Sequence, residues 1–167
     1  RAINKSELNK EINYNSIVYE GFGPEKIAVI VEALTDNKNR TASNIRTLFQ
    51  KFGGNLGASG VASHQFKQLG VIRINKLKIS DDDVLELATN AGAEDCLSEG
   101  NFHEIFTEKE NFYKVKIEIK KKVNDLASSG IEWLPTNKIS LDKEKTQSVL
   151  NFLEMLEDDD DVQHVYA

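Results

Sequence analysis

Apolar and polar positions along this chain follow two rhythms, and the places where one yields to the other predict its elements. Ile17-Val18-Tyr19 opens a short strand that the turn cluster Gly21-Phe22-Gly23-Pro24 stops. Residues 27–31 are apolar without interruption and rich in β-branched side chains, the mark of a central strand covered on both faces. After a polar turn over residues 35–41, Ala42, Ile45, Leu48, Phe49 and Phe52 recur at three- and four-residue steps. They form one apolar helix face, with Gly53-Gly54 in place for a left-handed cap. Ser43, Arg46, Thr47, Gln50 and Lys51 fall on the opposite, solvated face, and Gly57 and Gly60 lead into a strand over residues 61–66.

A second unit begins with a strand at residues 71–74. Ser80 and Asp83 match a capping box ahead of Val84, Leu85, Leu87, Ala88 and Ala91, and Gly92 closes that helix. Residues 95–98 and 102–106 read as a hairpin around Glu99-Gly100-Asn101. Phe112, Val115, Ile119, Val123 and Leu126 keep helical spacing, with Gly130 as the stop. Val115, Ile117 and Ile119 also alternate as a strand would, but a repeat sustained to Leu126 is too long for one strand and selects the helix. A strand at 131–134, ended by Pro135, completes the order β-α-β-β-α-β, the split βαβ pattern. Asp142 then caps a helix carrying Val149, Leu150, Leu153 and Leu156, and residues 162–166 make a last strand.

The tail supplies the α-β that the first unit lacks. The predicted fold is therefore α/β (α+β), two ferredoxin-like α/β sandwich domains with the second inserted into the first. The outer domain takes residues 14–68 and 136–167 and the inserted one 69–135, while the polar Lys/Asn/Glu-rich stretch 1–13 reads as a linker.

Composition narrows the class. The chain has 167 residues, 40% hydrophobic and 29% charged, which suits a soluble globular protein, and no apolar run approaches a membrane span. The first residues lack the apolar core of a signal peptide, and the start at Arg1 rather than Met predicts that a preceding segment is missing. One cysteine, Cys96, excludes an internal disulfide framework and fits a reducing compartment, the cytoplasm.

Charge is the feature that stands out. The chain carries a net charge of -6, yet from Asn37 to Ser80 there is no Asp or Glu. Lys38, Arg40, Arg46, Lys51, Lys67, Arg73, Lys76 and Lys78 all fall inside that stretch. A one-signed block in an acidic chain predicts a local surface for an anion. The candidate nucleic-acid contacts are Lys38, Asn39 and Arg40, read as a turn, with Arg46 and Lys51 extending the patch down the helix. Such contacts hold a backbone without reading sequence.

Other patterns carry less. Gly21-Phe22-Gly23 precedes a strand rather than linking strand to helix, so it is a tight turn and not a dinucleotide fingerprint. The loop over residues 53–60 follows a helix C-terminus, the end that repels anions, and reads as structural. His64, His103 and His164 have no partners at metal-ligand spacing, and no orienting acid turns Ser59, Ser63 and His64 into a triad. The acidic run Glu157 to Asp161 reads as a solvated helix end, although acids there oppose the helix dipole. No catalytic residue, metal or cofactor is predicted.

Several segments together resemble the YebC/PmpR family. They are the run from Tyr19 to Pro24 (YEGFGP), Val31 to Thr41 (VEALTDNKNRT), Phe52 to Gly57 (FGGNLG), Ala91 to Asp95 (AGAED) and Asp159 to Tyr166 (DDDVQHVY). The resemblance runs from about Tyr14 to Tyr166. It implies a three-domain protein, with a helical N-terminal domain followed by two nested α/β domains. This chain departs from the family pattern at Glu25, where a glycine is usual, at Ala58, where an acid is usual, and across residues 61–65. The family's basic N-terminal motif is absent.

Members are described as DNA-binding transcriptional regulators. Mitochondrial relatives activate translation of cytochrome c oxidase. The resemblance thus implies a non-enzymatic regulator of gene expression whose partner is nucleic acid, either DNA or ribosomal RNA on the ribosome, and no membrane. A small-molecule-sensing module is the reading from a different class, because ferredoxin-like pairs often bind ligands. The sequence shows no pocket-forming cluster to support it.

Overall fold

The computed structural model describes residues 13–167, so the linker reading for residues 1–12 lies outside the described residues. In chain order the elements are β1 (Asn15–Phe22), β2 (Ala28–Thr35), α1 (Lys38–Lys51), β3 (Asn55–Leu56), β4 (Phe66–Asn75) and α2 (Asp81–Ala91). They continue with β5 (Asp95–Glu99), β6 (Phe102–Glu108), α3 (Phe112–Lys120), β7 (Ser128–Pro135), α4 (Lys143–Glu157) and β8 (Val162–Tyr166). Two compact units result, one from the residues up to Phe66 together with Pro135–Ala167, the other from Lys67–Leu134.

The outer unit is a four-stranded sheet in the order β3-β1-β2-β8. β1 and β2 form an antiparallel pair with Tyr19 opposite Val31, and β8 pairs antiparallel along the other edge of β2. That central position explains why β2 needs Val29, Ile30 and Val31, all fully buried. Ile45 and Phe49 of α1 meet Phe152 and Leu156 of α4 over Val29 and Val31. Phe49 and Phe152 touch edge to face with ring centroids 4.9 Å apart. Burying each ring contributes on the order of 2 kcal/mol.

Helix α1 begins earlier than its apolar period suggested. The Asn37 side chain accepts from the backbone N–H of Arg40 at 3.1 Å, an N-cap that starts the helix at Lys38. Lys38, Asn39 and Arg40 therefore lie in the first helical turn and not in the expected loop. Gly53, with φ of 80°, supplies the left-handed residue after the helix.

The strand expected at residues 61–66 does not form. Ser63–Gln65 is a turn of 3-10 helix, and the true strand, β4, starts at Phe66 and absorbs residues 71–74. The reason lies in β1: the backbone N–H groups of Ala62 and Ser63 donate to Glu20 Oε1 at 2.8 and 2.9 Å and are unavailable to a sheet. At the far end of the insertion, Thr136 N–H donates to the Gln65 carbonyl at 2.9 Å. The chain thus leaves and re-enters the outer unit at one point.

The inserted unit has sheet order β5-β6-β4-β7. In space β6 separates β4 from β5, and β4 separates β6 from β7, so each β-α-β half is split by a strand of the other. Ile72, Ile74 and Ile105 from the sheet pack with Val84, Ala88, Phe112, Val115 and Ile119 from α2 and α3. Ser80 Oγ accepts from Asp83 N–H at 3.1 Å and sets the start of α2, and the expected hairpin is β5-β6. Helix α3 stops at Lys120, short of the expected Leu126. Val123 and Leu126 still reach the core, but from the segment that turns to feed β7.

Candidate nucleic-acid interface

The acid-free stretch is not one surface. Lys67, Arg73, Lys76 and Lys78 belong to the inserted unit. There Arg73 pairs with Glu132 at 2.6 Å and Glu104 at 3.0 Å, Lys78 pairs with Asp125 at 3.2 Å and Lys76 with Asp81 at 4.0 Å. Acids outside the stretch thus pair with Arg73, Lys76 and Lys78.

In the outer unit the same happens to Arg40. Its Nη2 lies 3.0 Å from Asp36 and 3.0 Å from Asp161 Oδ1, and its Nε 3.4 Å from Asp161 Oδ2. The Thr41 hydroxyl donates to Asp161 Oδ2 at 2.7 Å and lies 2.7 Å from the Thr35 hydroxyl. Thr35 and Thr41 are fully buried, so this group joins the end of β2, the start of α1 and the approach to β8. The Asp161 carboxyl is held below its ordinary range by the Thr41 hydroxyl, with partial burial opposing and Arg40 reinforcing. The join accounts for the last acid of the run Glu157 to Asp161: Asp161 turns to the positive start of α1, where a carboxylate is favourable.

Lys38, Asn39, Arg46 and Lys51 remain exposed on α1. Among the described residues no carboxylate pairs with Lys38, Arg46 or Lys51. Burial pushes the Tyr19 phenol up, with Asp161 adding and Arg46 opposing, which places Arg46 within electrostatic reach of β1. Lys51 lies with its Nζ 5.9 Å from the Phe52 ring centroid. Of the five predicted contacts, α1 carries all, but Arg40 is held in an internal lock and four stay open to a ligand.

The glycine motifs beside α1 are packing devices. A Cβ on Gly21 would strike the Asn55 carbonyl and lie 2.9 Å from Leu56 Cα, and one on Gly54 would strike the Phe22 carbonyl. Only glycines let β1 and β3 approach this closely. The Gly57–Ser63 segment is then fastened by Glu20: its main-chain carbonyl accepts from Gly57 N–H at 2.9 Å and its carboxylate from Ala62 and Ser63. Burial pushes the Glu20 carboxyl up, and backbone donors from Ala62, Ser63 and Gly60 more than offset that, leaving it below its ordinary value.

A further set of cations escaped the reading of charge along the chain. Between Lys109 and Lys122 six lysines stand against two glutamates, a signal diluted by the interspersed acids and by the apolar period of α3.

Of the histidine and cysteine side chains, His103 is occupied and Cys96 partly buried. His103 is fully buried, with Nδ1 2.7 Å from Ser98 Oγ and Nε2 2.7 Å from the Ile79 carbonyl, so both ring nitrogens are engaged. Burial pushes the Cys96 thiol up, with Asp95 and Asp81 adding, away from the reactive thiolate. A cleft of about 440 Å³ in the outer unit is lined by Ile27, Phe66, Ile139 and Leu153 with Lys26 and Lys138, and no acidic side chain, histidine or cysteine faces it. Among the described residues no three His, Cys, Asp or Glu side chains are placed to hold a metal ion, and no helix is long and apolar enough to cross a membrane.

A model of the TACO1/YebC second and third domain matches residues 14–167. The chain belongs to that family. A protein of Pelagibacter ubique described as a probable transcriptional regulatory protein is 56% identical over 167 residues, which cover 100% of this chain and 69% of the relative. A Rickettsia felis protein of the same description is 45% identical over 168 residues, covering 100% and 67%. The crystal structure of a conserved hypothetical protein from Aquifex aeolicus matches with a TM-score of 0.85 at 40% identity, over 92% of this chain and 63% of that one. This TACO1/YebC-family chain therefore spans about two thirds of the length of the proteins it matches. Four of the five family segments recognised in the sequence contribute to the close approach of β1 and β3 or to the Arg40–Thr41–Asp161 join, and the fifth, Ala91–Asp95, links α2 to β5 in the inserted unit.

Proposed function

We propose that this chain is part of a non-enzymatic, cytoplasmic regulator of gene expression, a DNA-binding transcriptional regulator of the YebC/PmpR type. One observation carries the reading: Lys38, Asn39, Arg46 and Lys51 lie exposed along one helix of an acidic protein, without carboxylate partners among the described residues. The descriptions of the Pelagibacter and Rickettsia relatives as probable transcriptional regulatory proteins support it. Where lysine and arginine meet phosphate oxygens they hold the backbone without selecting bases, so such contacts leave target choice to the rest of the assembly. The cleft beside Phe66 is lined by Lys26, Gln65, Asn137 and Lys138 among apolar side chains, with no acidic side chain, histidine or cysteine, and the reading as a regulator does not draw on it.

The test is a Lys38→Glu/Arg46→Glu/Lys51→Glu variant titrated with duplex DNA at several salt concentrations. Arg40 is left intact because it holds the fold. Binding should weaken, and the slope of log affinity against log salt should fall by roughly one for each phosphate no longer met. Affinity and slope equal to those of the parent protein would reject the surface. The same backbone chemistry suits ribosomal RNA and so supports a ribosome-associated translation factor as the second reading. Crosslinking in cells separates them, since recovery of promoter DNA favours transcription and recovery of ribosomal RNA favours translation.

A further inference from the structure

Helix α3 buries Phe112, Val115 and Ile119 and turns a mixed face outward. Tyr113 is 74% exposed and Ile117 59%, four residues apart and hence neighbours on the helix surface. Lys114 and Lys120 flank them with no carboxylate partner among the described residues, whereas Lys121 is paired with Glu118 at 2.7 Å. The Tyr113 ring is braced by the buried Phe112 ring, edge on, with centroids 5.2 Å apart. An aromatic ring so held gives up little freedom when something stacks on it.

We propose that this face of α3 is a second nucleic-acid contact, which takes a single strand by stacking an unpaired base on Tyr113 and holding flanking phosphates on Lys114 and Lys120. The inference rests on the reading that the partner is nucleic acid, and it adds a different element and a different substrate form. Lysines near a helix C-terminus are favourable on their own account, since they complement the dipole. That explains Lys120, Lys121 and Lys122 but gives no reason for a bare tyrosine and isoleucine among them. A protein partner suits the face poorly, because interface cores are depleted in lysine. A helix lying on a membrane presents a broad apolar side, and here two side chains make up the whole of it. An aromatic ring set among cations is the composition of a stacking platform for single strands.

The experiment measures binding of fluorescently labelled single-stranded RNA and DNA of mixed sequence, and of a duplex of equal length, by anisotropy at several salt concentrations. Tyr113→Ala should weaken single-strand binding roughly tenfold or more and leave duplex binding as it was. Tyr113→Phe should keep parent affinity, since the ring and not the hydroxyl does the stacking. Lys114→Glu/Lys120→Glu should weaken single-strand binding and lower its salt slope by about one to two. Unfolding midpoints check that these exposed substitutions leave the fold intact.

If the α1 variant loses binding while the α3 variants retain it, the α3 contact is rejected and the function proposed above stands. If the α3 variants lose single-strand binding while the α1 variant matches the parent, the α3 contact stands and the α1 surface falls. Parent protein that binds neither oligonucleotide at low salt, or that binds phosphatidylserine vesicles instead, overturns the inference.

Discussion

Glu20 brings a carboxylate into the interior of the outer unit, where it is 5% exposed, and surrounds it with backbone donors from one loop. Removing it leaves the Ala62 and Ser63 amides without their acceptor. Glu20→Ala should therefore cost about 2 kcal/mol in urea denaturation, and Glu20→Gln less, because the amide keeps one oxygen. Glu25 offers the opposite case. It sits at φ of 60°, a left-handed conformation that costs a side chain about 1 kcal/mol. Glu25→Gly should raise the urea midpoint by an amount worth up to about 1 kcal/mol, since the 4.0 Å pair with Lys145 that it gives up is exposed. At this scale the sequence announced turns but not what they do. Gly21 and Gly54 are legible as glycines, while their service to a close crossing of β1 and β3 depends on which segments meet.

At the scale of elements, the Thr35–Thr41–Asp161 group decides how α1 is seated against β2 and β8. Asp161→Ala and Thr41→Val should each destabilise by about 2 kcal/mol, and the double variant by little more than either, because the two side chains act as one unit. A double-mutant cycle by chemical denaturation checks this, and additive losses would contradict it. Helices α1, α2 and α4 were legible from their apolar period, because that period is local. The strand misassigned at residues 61–66 was not, because its amides are captured by a carboxylate 42 positions earlier. The basic patch met the same limit. The sign of a segment can be counted along the chain, yet Arg40 is neutralised by Asp161, which lies 121 positions away.

For the whole molecule, acid should act unevenly. Glu20 and Asp161 both have folded-state pKa values below their ordinary 4.5 and 3.8, and both belong to the outer unit. A carboxyl depressed by folding stabilises fully above its unfolded value, and that contribution fades as pH falls through the carboxylate range. The outer unit should therefore loosen first below about pH 4. Trp133, the one tryptophan, stands on β7 in the inserted unit, so far-UV circular dichroism should change at higher pH than tryptophan fluorescence. Coincident transitions would show the two units unfolding together. The nested arrangement itself was legible, since element order needs only local periods, whereas the pairing that gives the outer sheet its order had to be seen. One bond in that arrangement reaches furthest. Because Thr136 is tied to Gln65, the outer unit presents two cut ends side by side, the geometry a graft requires. A lineage could gain or shed the inserted unit in a single genetic event there, and a reporter domain with neighbouring termini could be spliced in its place without re-threading the outer sheet.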